Sequence, residues 1–280
     1  MARSNVNSQA RVLFLVVLTV ALCFGLSCEK APEAPPAPAN PTTTETSQTP
    51  DTPQAVEPTQ EMAQPAEPTT PTTEAVPGPE MAPIDIELPN PMFVGTPTNI
   101  NVPNLKKPLG RKRPPFLAPV GTKQLALNKP VSSSDEAPII GEVSYVTDGD
   151  KEAADGSYVE LGPMKQHVTI DLEQQAEIYA IVLWHYHKQP RVYSDVIVQI
   201  SDDPDFVEGV TTVFNNDIDN SYGLGIGDDM HYVETSEGEL IDCFSQGSPK
   251  GRYVRSYSNG NNSNDLNHYI EVDVYGKPVE

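Results

Sequence analysis

Apolar and polar positions alternate with different rhythms in different parts of the chain. Val12 to Leu26 is an almost continuous apolar run. It is long enough for the hydrophobic region of a signal peptide and short of the ~20 residues that a membrane-spanning helix needs. From Cys28 to about Glu80 apolar side chains nearly vanish, as in PTTTETSQTPDTPQ. From about Val120 they return with period two. In HVTIDL, Val168, Ile170 and Leu172 share one face, and His167, Thr169 and Asp171 the other. Ile178 to Trp184 is apolar on both faces, the pattern of a central strand. DVIVQIS (195–201), VTTVF (210–214), HYVET (231–235), RYVRSY (252–257) and YIEVDVYG (269–276) follow, with turn-rich stretches between them. No long segment has the helical period. Short strands joined by polar turns predict an all-β antiparallel sandwich or barrel over 118–280.

Composition sharpens the division. Of 29 prolines, 22 lie at or before Pro119. Residues 28–80 cannot bury enough surface to offset ordering entropy, so a disordered Pro/Thr-rich tether is expected there. Residues 81–117 differ, because Ile84, Ile86, Leu88, Met92, Phe93, Val94 and Leu105 stand between the prolines. They predict an extended linker, partly docked on the domain. Its basic run, KKPLGRKR, either meets the acidic domain or an anionic wall polymer, or is a solvated linker charge run.

The N-terminus reads as a targeting segment over 1–27, with Arg3 and Arg11 before the apolar run. It ends in GLSC, which resembles a bacterial lipobox, although Gly25 stands where leucine is usual. That resemblance implies cleavage before Cys28 and lipidation of Cys28; an ordinary secretory signal with an incidental cysteine is the other reading. Glu29 follows, not the aspartate of inner-membrane retention, which favours an outer-membrane lipoprotein of a bacterial envelope. Membrane contact is then expected through the lipid alone. Only Cys243 would remain of the three cysteines, so no intrachain disulfide or CxxC metal site can form. The formal net charge is −21, from 18 basic and 39 acidic residues. A chain this acidic repels nucleic acid and suits neutral ligands and cations.

Seven pieces, in order, resemble the discoidin or coagulation-factor 5/8 C-type domain. They are LALNKPVSSS (125–134), VTDGD (146–150), HVTIDL (167–172), IYAIVLWHY (178–186), VIVQISDDPDF (196–206), RYVR (252–255) and IEVDVYG (270–276). With FNND (214–217) and NHYIEV (267–272), the wording looks like the discoidin-like domains of secreted Planctomycetes and Verrucomicrobia proteins. The resemblance implies a galactose-binding-like jelly-roll β-sandwich. It further implies a non-catalytic ligand-binding or adhesion module, often for carbohydrate. Many members carry a tryptophan shortly after the DGD turn, where this chain has Ala153, Asp155 and Tyr158.

The candidate chemistry lies in a few stretches. WHYHKQPR, Trp184 to Arg191, leaves the central strand. His185 and His187 have a chelating spacing, but no glutamate follows as in cupins, and no nucleophile motif accompanies them, so neither a transition-metal site nor an enzyme is expected. The resemblance puts the stretch at the ligand-bearing end of the sandwich. His185, Tyr186, His187 and Arg191 would then offer hydrogen bonds and an aromatic face to a sugar. The alternative is that Trp184 and Tyr186 are core and the histidines satisfy loops. Asn259, Asn261 and Asn262, in SNGNNSNDLNH, either join that rim or cap their own turn. Asp148 and Asp150 with Glu271 resemble the family's calcium loop, which implies a structural calcium ion, against a plain Asp-Gly turn. The Asn215–Asp229 stretch, with Asp217, Asp219, Asp228 and Asp229, is a weaker second calcium candidate. Besides a glycan, a protein partner remains open, through an envelope-scaffold module of the same fold without sugar.

Overall fold

The computed structural model describes residues 78–93, 97 and 99–280. The targeting segment, Cys28 and nearly all of the 28–80 stretch lie outside the described residues. No α-helix occurs among the described residues; a single 3-10 turn spans Val143–Thr147. Eleven strands supply the remaining regular structure of the described residues. They are β1 (Met81–Pro83), β2 (Leu117–Pro119), β3 (Lys123–Gln124), β4 (Val131–Ser133), β5 (Val159–Pro163), β6 (Lys165–His185), β7 (Ile197–Ser201), β8 (Thr211–Asn215), β9 (Glu239–Asp242), β10 (Lys250–Asn259) and β11 (Leu266–Pro278).

The sequence predicts two strands at 167–172 and 178–184; the structure joins them into the 21-residue β6. This strand changes layer midway. Its first half pairs with β4 and with β10, which continues through β7 to β8. Its second half pairs with β11 on one side and β9 on the other, and β11 carries β3 and β5. The bend falls at Glu173, whose left-handed backbone (φ 64) is held by its N–H donating to Asp171 Oδ1 at 2.7 Å. Two antiparallel layers result, the β-sandwich that the period-two pattern predicted. Between them lie Val168, Ile170 and Leu172 from the first half of β6, Ile178, Ile181 and Leu183 from the second, and Val198, Ile200, Val254, Val272 and Val274. Each such side chain contributes roughly 1.5–3 kcal/mol of burial free energy.

HYVET forms no strand. Only His231 makes an isolated bridge, to Leu105, and Glu234 turns inward instead. Strands β4, β5 and β9 are too short to show a period, and the alternation along the chain does not mark them.

A second apolar cluster explains why β6 is apolar on both faces. Ala180, Val182 and Trp184 point away from the sandwich interior, with Ile270 and Tyr275 beside them. Ile84, Ile86, Leu88 and Phe116 cover them. The 81–117 segment is therefore a strap across the outer face of one layer. β1 pairs antiparallel with β2, in register Met81↔Pro119 to Pro83↔Leu117. Lys106 donates its backbone N–H to His231 O at 2.7 Å and ion-pairs with Glu239 at 2.8 Å. Arg113 Nη1 donates to Gly238 O at 3.0 Å. Two cations of the basic run thus meet the acidic domain, while Lys107, Arg111 and Lys112 stay exposed.

Candidate ligand-binding rim

Trp184 is the last apolar residue of the run and lies in the core as expected, but burial continues one residue further, into His185. Trp184 is fully buried, and its indole N–H donates to Ser236 O at 3.1 Å. Gly238 lies against the ring with φ +62, and a Cβ there would come within 2.7 Å of the indole. The residues beyond Trp184 depart from the expectation. His185 and His187 were expected at the rim; both are buried, at 0% and 1% exposure. The physical reason is that each found an internal partner for one ring nitrogen, which lowers the penalty for burying a polar ring, although His185 Nε2 and His187 Nδ1 are buried without a partner. His185 Nδ1 lies 2.6 Å from Glu234 Oε1, and its ring stacks on Tyr193 at 4.2 Å. His187 Nε2 donates to Lys151 O at 2.8 Å.

Tyr186 and Arg191 do reach the surface, both half-buried. The Arg191 guanidinium lies over the Tyr186 ring, 4.6 Å from its centroid. Tyr158 packs edge-on to Tyr186 at 5.0 Å, and His268 lies 5.8 Å from Tyr186. Arg191 Nη1 approaches the His268 ring nitrogens at 3.1 and 3.2 Å. His268 Nε2 faces Glu160 Oε2 at 3.0 Å, and Tyr193 Oη lies 3.0 Å from Nδ1. A neutral ring fits this network, with Nε2–H donating to Glu160 and Nδ1 accepting from Tyr193. Burial, then the charge of Arg191, holds the His268 pKa down at about 3. Burial also raises the Glu160 carboxyl, against the pull of Arg191. Glu160 and His268 were not singled out as site residues by sequence, and Tyr158 was named only as standing where many members carry a tryptophan. Glu160 lies on β5 and Tyr158 just before it, and the five residues of β5 carry no readable alternation.

The asparagine loop adjoins this rim but turns its amides inward. Asn262 exchanges hydrogen bonds with Val192, next to Arg191: its N–H donates to Val192 O at 2.9 Å, and its Oδ1 accepts Val192 N–H at 2.8 Å. Asn259 Nδ2 donates to Asp195 at 2.7 Å. Asn261 spans its own turn, donating to Asn264 and Leu266 O and accepting from Ser263 and Asn264. These side chains fix the loop that carries Arg191.

The expected calcium ligands do not converge. Asp148 and Asp150 are exposed and each accepts an N–H of its own turn, from Asp150 at 2.8 Å and Glu152 at 3.0 Å. Glu271 is buried on β11, with Oε2 accepting Gly149 N–H at 3.1 Å. Burial, then Asp273, drives its carboxyl up to about 9. Among the described residues the one group of three or more acidic, His or Cys side chains with ligand atoms within 4.8 Å of one another is Asp195, Asp217 and Asp219. The loop's own donors meet Asp195 and Asp217, through the Ser221 hydroxyl on Asp195 and the N–H groups of Ser221 and Tyr222 on Asp217. Asp229 instead accepts Asn215 N–H at 2.6 Å.

No family model and no curated protein matches the chain. Solved structures do resemble it. One is the CBM32 of AlyQ in complex with 4,5-unsaturated mannuronic acid, at 18% identity and TM-score 0.37, over 54% of this chain and 97% of that one. Another is a Streptococcus pneumoniae fucose binding module, SpX-3, at 20% identity and TM-score 0.40, over 55% and 97%. A third is chitosan-binding module 1 of a chitosanase/glucanase from Paenibacillus sp. IK-5, at 19% and 0.38, over 55% and 99%. The chain spans about a third or less of larger proteins that it also resembles. It covers 34% of truncated AlyQ with CBM32 and alginate lyase domains, and 15% of the family 89 glycoside hydrolase from Clostridium perfringens.

Proposed function

We propose that the domain is a non-catalytic binding module that takes a neutral sugar at the Tyr158–Tyr186–Arg191 rim. The observation that carries this reading is the half-buried guanidinium laid over Tyr186 beside Tyr158. Aromatic faces suit the C–H face of a pyranose, and a fixed fork of donors suits its hydroxyls. Glu160 adds an acceptor nearby. The fork is already held by His268, so little side-chain entropy is lost on binding.

The test is calorimetric titration of the full-length protein against fucose and the neutral oligosaccharides that a glycan array selects, with chitosan oligosaccharides and oligomannuronate as charged comparisons. Arg191→Ala is expected to weaken binding at least ~tenfold, because a charged hydrogen bond is worth ~1.5–3 kcal/mol. Tyr186→Ala is expected to weaken it comparably. Because His268 stays neutral until about pH 3, it adds no step in affinity between pH 5 and 8. Wild-type affinity in Arg191→Ala would sink the assignment.

Anchoring belongs to the same proposal. Cys28 would carry the lipid and hold the module at the bacterial envelope, most simply the outer membrane. Mass spectrometry of the wild type should find a mature chain beginning at acylated Cys28. Cys28→Ser should leave the chain unprocessed or released. A wild-type chain without acyl groups overturns the anchor and leaves the rim untouched.

A further inference from the structure

The turn expected to hold calcium carries a cation of its own. Lys151 follows Asp150, and its side chain is largely buried, at 11% exposure. Its ammonium lies 3.2 Å from Asp273 Oδ2 and 5.2 Å from the centroid of the Trp184 ring. Asp273 is fully buried on the strap-facing side of β11, two residues beyond Glu271. Its other oxygen accepts from Gln124 at 3.0 Å, and Tyr275 Oη donates to Oδ2 at 2.9 Å. Lys151 O, in turn, accepts from His187. One residue therefore ties the 148–152 turn to β11, to Trp184 and to the loop beyond β6.

Calcium fits this arrangement poorly. It needs six to eight oxygens at ~2.3–2.6 Å. Asp148, Asp150 and Glu271 do not bring their oxygens together, and the side-chain position after Asp150 is taken by an ammonium. Glu271 Oε1 is buried without a partner. Carbonyls and waters would have to supply the rest of the ~six to eight oxygens, and Lys151, whose charge acts on Glu271, would repel a divalent ion there.

We infer that Lys151 is a built-in substitute for the calcium ion, neutralising the buried acid on β11 and clamping the 148–152 turn, so that the fold needs no metal. This role is independent of sugar binding at the rim. Thermal melting of the full-length protein in chelator and in ~10 mM calcium tests it. An ion bound even at the weak ~1 mM of extracellular modules would raise Tm by ~3–5 °C under that excess. The expected wild-type shift is below ~1 °C, with no heat on calorimetric titration with calcium. Lys151→Met keeps the stem over Trp184 but strands Asp273, and should lower Tm by ~5–10 °C. Lys151→Arg keeps the charge and should stay near wild type. A calcium-dependent wild type, or a Lys151→Met variant that melts like wild type, overturns the inference. If Lys151→Met does not fold, Lys151→Arg decides: it must fold and ignore calcium.

Discussion

Trp184→Ala should lower the unfolding free energy by ~3–5 kcal/mol, the usual range for truncating a fully buried aromatic. Three contacts fall together in this variant. The indole N–H loses Ser236 O, Gly238 loses the ring it packs against, and Ile84, Ile86, Leu88 and Phe116 lose the centre of the cluster they cover. The midpoint of denaturant unfolding, followed by circular dichroism, measures the loss. A folded variant with an unchanged midpoint would show that the strap is not seated on this face. Removing residues up to 117, the domain edge expected from sequence, should have a related effect. It would bare Ala180, Val182, Trp184 and Ile270 and favour aggregation.

His185→Leu should cost a comparable ~3–5 kcal/mol, because it leaves Glu234 buried without its partner. His185 and Glu234 both have 0% side-chain exposure and lie 2.6 Å apart. The double variant His185→Leu with Glu234→Leu should recover most of that loss, since two apolar side chains of similar size carry no desolvation penalty. The midpoints of the wild type, of each single variant and of the double variant, compared in one double-mutant cycle, give the coupling. A double-variant loss equal to the sum of the two single losses would mean that the pair is not energetically linked.

The period-two pattern located the long central strands because they are long enough to show it. β6, β7, β10 and β11 all fall on the predicted stretches. It could not show that 167–172 and 178–184 are one strand, since the bend at Glu173 is a backbone event with no hydrophobic signature. The double-sided apolarity of Ile178–Trp184 was legible, and its cause, a strap from 81–117, was only half legible. Isolated Ile and Leu residues between prolines marked contact without saying where. At the site, Tyr186 and Arg191 were readable from their place after Trp184. The inward turn of His185 and His187 was not, because it depends on Glu234 and Lys151 O, which lie 49 and 36 residues away. The calcium expectation rested on Asp148, Asp150 and Glu271, whose types match the family turn. What the letters could not show is that Lys151, in the same turn, folds against Asp273.

The strap also sets how the chain answers a pull. A load applied at Gly78 reaches β1 first, at the end that faces the exit of β2 at Pro119. In that geometry the three residue pairs would separate in succession and not in concert. Each pair that opened would lengthen the chain ahead of the sandwich. Full release of the strap would free ~33 residues between β1 and β2, or ~110 Å of extended length. The strap is in this sense a mechanical fuse: stretch is absorbed by peeling a cover, while the layers that carry Arg191 and Tyr186 keep their shape. The cost of repeated loading would be a transiently bare Trp184 face, ready to stick to its neighbours.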